Sequence, residues 1–211
     1  AKVNLMELQS IGEKYAGGKY YLKRNLLKLL GSEFFIYDPH QKLLFTAVRP
    51  IKLRDEITIF ADDSKSVAAL VIKARQNVLL DFNGVFDIFD SITQSRIGVM
   101  KRKAVNSIVR DEWEICDGNE FTIATLIEDS LMLSLLRRFA TNLIPQNYDI
   151  LVNGSPMVDL RQNFNPFSYH LNIEMKGPFD ARLAVASAVL LASIDGKQRS
   201  FESLSCSFLC S

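Results

Sequence analysis

The sequence predicts a mostly antiparallel β protein whose strands wrap one central C-terminal helix. Three observations lead to this fold class: a recurring strand–turn–strand pattern, a helical segment that is apolar on every side, and a composition that is 48% hydrophobic with fourteen Phe. A domain of 211 residues buries roughly 70% of the surface of its unfolded chain, so this composition suffices for one large core. We expect an N-terminal extension at 1–18, one domain at 19–196 and a poorly ordered tail at 197–211.

Five segments carry the hairpin pattern. In the first, the strand-like residues 34–38 (Phe-Phe-Ile-Tyr-Asp) precede the turn residues 39–41 and a second strand at 42–45. Alternation of apolar and polar residues is typical of a strand with one buried face, and Asp or Asn side chains bond the backbone of turns. The other four copies place their acid or amide at Asp62, Asp90, Asp117 and Asn153. We interpret these side chains as turn residues; catalysis or calcium binding is the alternative.

Two segments have helical rather than strand periodicity. Asp129 and Ser130 are suited to cap a helix with apolar residues at spacings of three and four, which Pro145 ends. This amphipathic helix would lie on the sheet or plug it. The second segment, 178–195, has Pro178 near its start and Gly196 as a predicted stop.

The second helix has no polar face. Residues 183–194 are apolar apart from Ser187 and Ser193, which fall on different sides of the helix. Such a helix must be enclosed, and its apolar length of about 18 Å is too short for a hydrocarbon core of roughly 30 Å. We therefore expect no transmembrane segment and a helix surrounded by strands. A helix packed between a sheet and another layer remains the alternative.

Charge and cysteine usage limit the class of partner and the compartment. Lys and Arg number 25 and Asp and Glu number 24, so the net charge is +1. This balance argues against a basic nucleic-acid binder, and we interpret Trp113 and the Phe-rich strands as core rather than as a platform for stacked bases. Cys116, Cys206 and Cys210 do not form an evenly spread framework, and residues 1–9 lack a signal-peptide pattern. We expect a cytoplasmic protein without a nucleic-acid partner.

Motifs of common catalytic sites are absent from the sequence. It contains no phosphate-binding glycine loop, no His-Glu-x-x-His helix, no Cys-x-x-Cys pair and no Gly-x-Ser-x-Gly elbow. Its two histidines, His40 and His170, fall in a predicted turn and a predicted strand, and Cys116 is a nucleophile only if His170 comes within reach. We expect no enzymatic activity, no cofactor and no metal. Metal binding or acylation at Cys206 and Cys210 is the alternative for the tail.

The chain resembles the tubby-like superfamily, and within it the bacterial relatives of the LURP-one-related and phospholipid scramblase proteins. The resemblance rests on the opening Tyr-Tyr-Leu-Lys-Arg at 20–24, the Phe-x-Ile-Tyr-Asp hairpins, the Trp-Glu-Ile strand at 113–115 and the terminal helix, and it covers about 19–196. It implies a closed β-barrel of about twelve strands around a hydrophobic C-terminal helix.

The resemblance also implies a relation to lipids. Tubby-type domains bind phosphoinositide headgroups at a basic patch, and scramblases are associated with calcium and lipid movement. Residues 163–176, which precede the helix, lack the closely spaced acidic ligands that calcium requires. We therefore expect a non-enzymatic module that binds a lipid headgroup, a small ligand or a protein partner at the barrel surface, cytoplasmic or peripheral at a membrane. The alternative is a scramblase-like protein whose helix enters the membrane.

Basic residues in two segments form the candidate phosphate site. A phosphate site needs converging Lys and Arg side chains, and Arg supplies bidentate geometry. On a strand, Lys101 and Lys103 share one face while Arg102 points to the other. A solvated face that balances the acidic turns is the alternative. The candidate residues are Lys101, Lys103, Arg110, Arg137 and Arg138.

Overall fold

The chain folds into one closed β-barrel with a helix inside it. The computed structural model describes residues 5–25, 31–50, 55–76, 84–103, 112–128, 147–163 and 169–208. These residues form twelve strands and two helices, and all neighbouring strands are antiparallel. The predicted fold class is confirmed. The amphipathic helix predicted from Asp129 lies outside the described residues.

The strands follow one another around the barrel in chain order. Helix α1 is Leu5–Lys14 and helix α2 is Ala181–Phe208. The strands are β1 Lys19–Arg24, β2 Ser32–Tyr37, β3 Leu43–Arg49, β4 Glu56–Phe60, β5 Ala68–Ala74, β6 Val85–Asp90, β7 Ser95–Arg102, β8 Glu112–Asp117, β9 Thr122–Glu128, β10 Asn147–Val152, β11 Ser155–Gln162 and β12 His170–Met175.

Pairing of the first strand with the last closes the barrel. Lys19 lies opposite Glu174 and Lys23 lies opposite His170, so β1 and β12 form an antiparallel seam. Each remaining pair joins strands that are neighbours in the sequence. A closed sheet has no unpaired edge, so none of the described strands offers free backbone groups to an added strand.

The two ends of the barrel differ in their connections. The hairpins after β2, β4, β6, β8 and β10 all turn at one end, which we call the entrance rim because α2 begins there after β12. Neighbouring strands run in opposite directions, so the other strand-to-strand connections start and end at the opposite end of the barrel. We call this end the exit rim. All five hairpins predicted from the sequence are confirmed.

The recurrent acidic residues bond the turns that they begin. Asp38 Oδ1 accepts hydrogen bonds from two backbone N–H groups of its turn at 2.8 and 2.9 Å, and Asp117 Oδ1 does the same at 2.9 Å for both bonds. Asp90 Oδ1 accepts at 2.8 and 3.2 Å, and the carboxylate of Asp62 accepts two backbone N–H groups and two serine hydroxyls. The interpretation of these four side chains as turn residues is confirmed.

Helix α2 passes through the interior of the barrel. Every residue from Leu183 to Ser193 is at most 5% exposed, and the helix packs against β1, β5, β7 and β12, which lie on different sides of the barrel. The hydroxyls of Ser187 and Ser193 donate to helix carbonyls at 2.7 and 2.8 Å, so these two polar groups are satisfied without leaving the helix. The prediction of an enclosed helix is confirmed.

The limits of α2 differ from the predicted ones. Asp180 precedes the helix, and its carboxylate accepts the backbone N–H of Arg182 at 2.9 Å, as an N-cap does. The predicted stop at Gly196 was wrong, because α2 continues to Phe208. A single glycine costs a helix only about 1 kcal/mol, and the Lys, Gln and Arg that follow it favour helix. The predicted tail from 197 therefore begins as helix.

Helix α1 lies within the predicted N-terminal extension, 1–18, and packs on the entrance rim. Ile11 is 3% exposed, and the ring of Tyr15 stacks on Phe45 with 4.7 Å between centroids. The ammonium of Lys14 donates to the carbonyls of Leu44, at 3.1 Å, and Ala61. This helix therefore closes part of the end through which α2 enters.

Candidate functional site

Lys101 and Lys103 lie at the exit end of β7, on the outer surface. Arg102 lies between them and opposite Trp113, whose side chain is fully buried. The Arg102 guanidinium lies over the Trp113 ring, 5.5 Å from its centroid, and Lys101 lies opposite Glu114. The two lysines therefore share the outer face, and Arg102 points to the inside of the rim.

Both lysines are paired with carboxylates. Lys103 Nζ is 2.8 Å from Glu112 Oε1 and 3.4 Å from Glu114 Oε1, and Lys101 Nζ is 3.2 Å from Glu120 Oε2. The hydrogen bond to Glu112 is the main reason that the pKa of Lys103 is raised. A phosphate that reaches either ammonium must compete with these carboxylates.

Lys101 belongs to a larger network on the outer wall, the outer-wall cluster, formed by Arg75, Asp87, Arg96, Lys101 and Glu120. Arg75 binds both oxygens of Asp87 at 2.9 and 2.7 Å and also Glu120 at 2.7 Å. Arg96 Nη1 lies 3.2 Å from both carboxylates. Hydrogen bonds from Arg75 and Lys101 lower the pKa of Glu120 to about 2, so this carboxylate stays ionised at neutral pH.

The outer-wall cluster covers apolar side chains of the outer wall. Val99 lies opposite Asp87 on one side and Cys116 on the other, and both Val99 and Cys116 are fully buried although strand alternation points Val99 outward. The long charged side chains shield this strip from water through their methylene groups. The cluster has a structural role here, because each of its cations pairs with a carboxylate of the same cluster.

Arg110, Arg137 and Arg138 lie outside the described residues. Arg110 belongs to the segment between β7 and β8, and Arg137 and Arg138 belong to the segment between β9 and β10. The four strand ends that flank these two segments lie at the exit rim. These four strands are consecutive in the barrel. Lys103 lies at the end of the first of them, at the same rim.

The exit rim contains a buried arginine that sequence reasoning missed. Arg49 points inward from β3, donates to the carbonyl of Ser193 at 3.0 Å, and binds Asp55 Oδ1 at 2.7 Å. It is 7% exposed. The signal in the sequence was an arginine at a position that strand alternation places on the apolar face after Phe45 and Ala47. Arg49 thus ties the enclosed helix to the rim.

The residues considered for catalysis are not brought together. Cys116 is fully buried, and its Sγ lies 3.8 Å from the hydroxyl of Thr122. His170 Nδ1 is 3.1 Å from Asn163 Nδ2, and burial is the main cause of its lowered pKa. Across the described ranges, no group of three or more His, Cys, Asp or Glu side chains is placed to hold a metal ion.

Comparisons with known proteins give no family for this chain. No protein-family model matches it, and no curated protein is significantly similar to it. In the part of the chain that the structure describes, no helix is both long and apolar enough to cross a membrane.

Proposed function

We propose that this chain is a non-enzymatic, tubby-like module that binds an anionic, phosphate-bearing lipid headgroup at the exit rim. The barrel with its enclosed helix is the architecture that the tubby-like resemblance implies. The lipid role itself rests on the distribution of charge around the rim.

One observation carries this proposal. The segments that contain Arg110, Arg137 and Arg138 join strand ends that are neighbours at the exit rim, next to Lys103. By sequence, the six segments that connect strands there (26–30, 51–54, 77–83, 104–111, 129–146 and 164–168) contain six Lys and Arg against three Asp. A local excess of basic residues attracts anionic headgroups, although the whole chain has a net charge of only +1.

The outer wall is a weaker candidate for the same ligand. Lys101 and Lys103 are held by Glu120, Glu112 and Glu114. A headgroup there has to displace carboxylates that are already at hydrogen-bonding distance. The proposal therefore assigns headgroup binding to the rim and gives Lys103 a supporting position at its edge.

Vesicle sedimentation tests the proposal. The probe is phosphatidylcholine vesicles with and without a phosphatidylinositol bisphosphate. We expect binding that needs the anionic lipid and falls by about 30-fold when Arg137→Gln and Arg138→Gln are combined, since each basic residue near an anionic surface contributes about 1 kcal/mol. The matched control combines Lys19→Gln and Lys176→Gln at the entrance rim, where both lysines pair with Glu174.

Two results would contradict the proposal. The first is an equal loss of binding in both double variants, which would indicate a general charge effect. The second is binding that is independent of the anionic lipid. Movement of labelled lipid between leaflets on addition of calcium would instead support the scramblase-like alternative.

A further inference from the structure

The aromatic residues of the strands face two ways. Trp113, Phe34 and Phe45 are fully buried in the core, as the sequence predicts. A second set is partly exposed and lies outside the core cluster. Four of its members lie on β1, β2 and β4, and we call them the aromatic wall: Tyr21, Phe35, Tyr37 and Phe60; Phe89 on β6 also belongs to the set but is separated from them by β5.

The aromatic wall is continuous across four neighbouring strands. Tyr21 on β1 lies directly opposite Tyr37 on β2. Phe35, also on β2, lies opposite Thr46 on β3, and Thr46 lies opposite Phe60 on β4. Thr46 is fully buried although it faces outward, so the rings on either side of it cover this part of the wall.

The charges of the aromatic wall differ from those of the outer wall elsewhere. On β5 to β12, the lysines and arginines of the outer surface pair with carboxylates, as in the outer-wall cluster and in the bonds of Arg161 to Asp149 and Asp159. Beside the aromatic wall, Lys23 and Lys42 have no carboxylate within ion-pair distance among the described residues. Lys23 Nζ instead donates to Gln41 Oε1 at 3.0 Å and lies 4.8 Å from the centre of the Tyr37 ring.

The two acidic side chains near the aromatic wall already have ion-pair or hydrogen-bond partners within the chain. Glu33, on the same face of β2, is 4% exposed and binds Lys65 Nζ at 2.5 Å. The carboxylate of Asp38 accepts hydrogen bonds from its own turn. The exposed part of the aromatic wall is therefore apolar at its centre, and its margin carries the ammonium groups of Lys23 and Lys42 against the one carboxylate of Asp38, since Glu33 is paired with Lys65.

We propose that the aromatic wall is a docking surface for an acidic polypeptide segment that also carries aromatic or aliphatic side chains. An apolar aromatic centre with a polar margin is the usual composition of a protein interface. A carboxylate of the partner replaces Gln41 as the acceptor of Lys23, which stays over the Tyr37 ring, and a partner side chain packs on the neighbouring ring of Tyr21. This surface is separate from the exit rim, so the inference does not depend on the proposed lipid role.

The shape of the wall favours a polypeptide over other anionic partners. Its four rings are all partly buried, so they offer less apolar surface to a bilayer than protruding side chains do. Two lysines without acidic partners are also few for a nucleic acid, whose affinity comes from many phosphate contacts. Because the barrel is closed, the partner binds through side chains and not by adding a strand.

The length of the partner segment follows from strand spacing. From β1 to β4 the wall spans three strand intervals of about 4.8 Å, which gives about 14 Å. An extended chain rises about 3.3 Å per residue, so a segment of about four residues crosses it. Such a segment makes a small interface, and we expect weak, salt-sensitive binding.

The experiment measures binding of labelled random copolymers by fluorescence anisotropy. The probes are a copolymer of glutamate and tyrosine and, for charge alone, polyglutamate. We expect the copolymer to bind more tightly than polyglutamate, and its affinity to fall at least tenfold when Lys23→Gln and Tyr37→Ala are combined. The matched control combines Lys73→Gln and Phe89→Ala, which removes a second lysine–aromatic pair on the outer wall, with 5.8 Å between the amine and the ring centre. This control should leave binding unchanged.

Three results would overturn the inference. Equal binding of the two probes would show that only charge is recognised, and equal loss in both double variants would show that the site is elsewhere. Displacement of the copolymer by oligothymidylate or by phosphatidylserine vesicles, with tighter binding of the competitor, would assign the wall to another partner. The charge reversal Lys23→Glu, which keeps every ring, should also abolish binding, and circular dichroism of each variant checks that the barrel is folded.

Discussion

The contact between Gly98 and helix α2 gives the most direct test of the enclosed helix. A Cβ atom at position 98 would lie 2.7 Å from Leu183 Cδ2 and 2.9 Å from the carbonyl oxygen of Cys116. Ordinary contacts between carbon atoms are about 3.5–4.0 Å, so Gly98→Ala forces the Leu183 side chain, or the backbone of β7 against β8 and α2, to shift. Inserting one methyl group into a packed core costs about 1–3 kcal/mol, and we expect Gly98→Ala to lower the free energy of unfolding by this amount.

A double-mutant cycle separates the two contacts at position 98. Leu183→Ala alone removes the helix side chain and should cost about 2–5 kcal/mol, because Leu183 is 2% exposed. If Leu183 is the main obstacle, the double variant should be more stable than the sum of the two single effects predicts, by at least about 1 kcal/mol. Urea unfolding followed by the fluorescence of the single, fully buried tryptophan, Trp113, measures each value.

The control for this cycle is a glycine at which an added Cβ would meet no other atom. A Cβ at Gly12, in α1, has no atom within 4 Å, so Gly12→Ala should be neutral or stabilise the protein by up to about 1 kcal/mol. Strict additivity of Gly98→Ala and Leu183→Ala would refute a close approach of the helix to β7. Stability of Gly98→Ala equal to that of the parent would refute it as well.

Two further predictions concern the core and the outer-wall cluster. Leu190→Asp should prevent folding, because an unpaired charge at this 1% exposed position costs several kcal/mol, which is comparable to the whole stability of a domain. The control Leu190→Met should fold. Native-like circular dichroism of Leu190→Asp would contradict the prediction. Glu120 has a pKa of about 2 in the folded protein against an ordinary value of 4.5, so its contribution is present above pH 4.5 and is lost as the pH falls towards 2. Glu120→Gln should therefore lower the urea midpoint at pH 7 and flatten its pH dependence between these values, and an unchanged profile would argue against the cluster.

The outer-wall cluster explains why a basic sequence motif does not by itself indicate a phosphate site. Lys101 and Lys103 look accessible in the sequence because they alternate with Arg102 on one strand. Their acidic partners come from β8 and from the β8–β9 turn, which are 9 to 19 residues away in the chain. Only the register of neighbouring strands brings these carboxylates to the two ammonium groups, so their pairing could not be read from the sequence.

The contacts of Arg49 at the exit rim also join residues that are distant in the sequence. Arg49 and Ser193 are 144 residues apart, and their hydrogen bond exists because α2 runs through the whole barrel before it reaches the rim. The sequence analysis did not single out Arg49; alternation with Phe45 and Ala47 would have placed it on the apolar face, but no local pattern indicates its acceptor. The position of α1 could not be predicted from the sequence either. It depends on one buried isoleucine and on hydrogen bonds from Lys14 to carbonyls that are distant in the chain.

The sequence by itself determined the hairpins, their turn chemistry and the burial of α2. Alternation within a strand, an Asp that bonds its own turn and a helix without a polar face are local properties, and solvent imposes their consequences in any compact fold. Tertiary structure alone decided which of two adjacent phenylalanines, Phe34 and Phe35, enters the core and which joins the aromatic wall. Both residues are equally apolar, and pairing with β1 and β3, followed by closure of β12 on β1, fixes the face that each one takes.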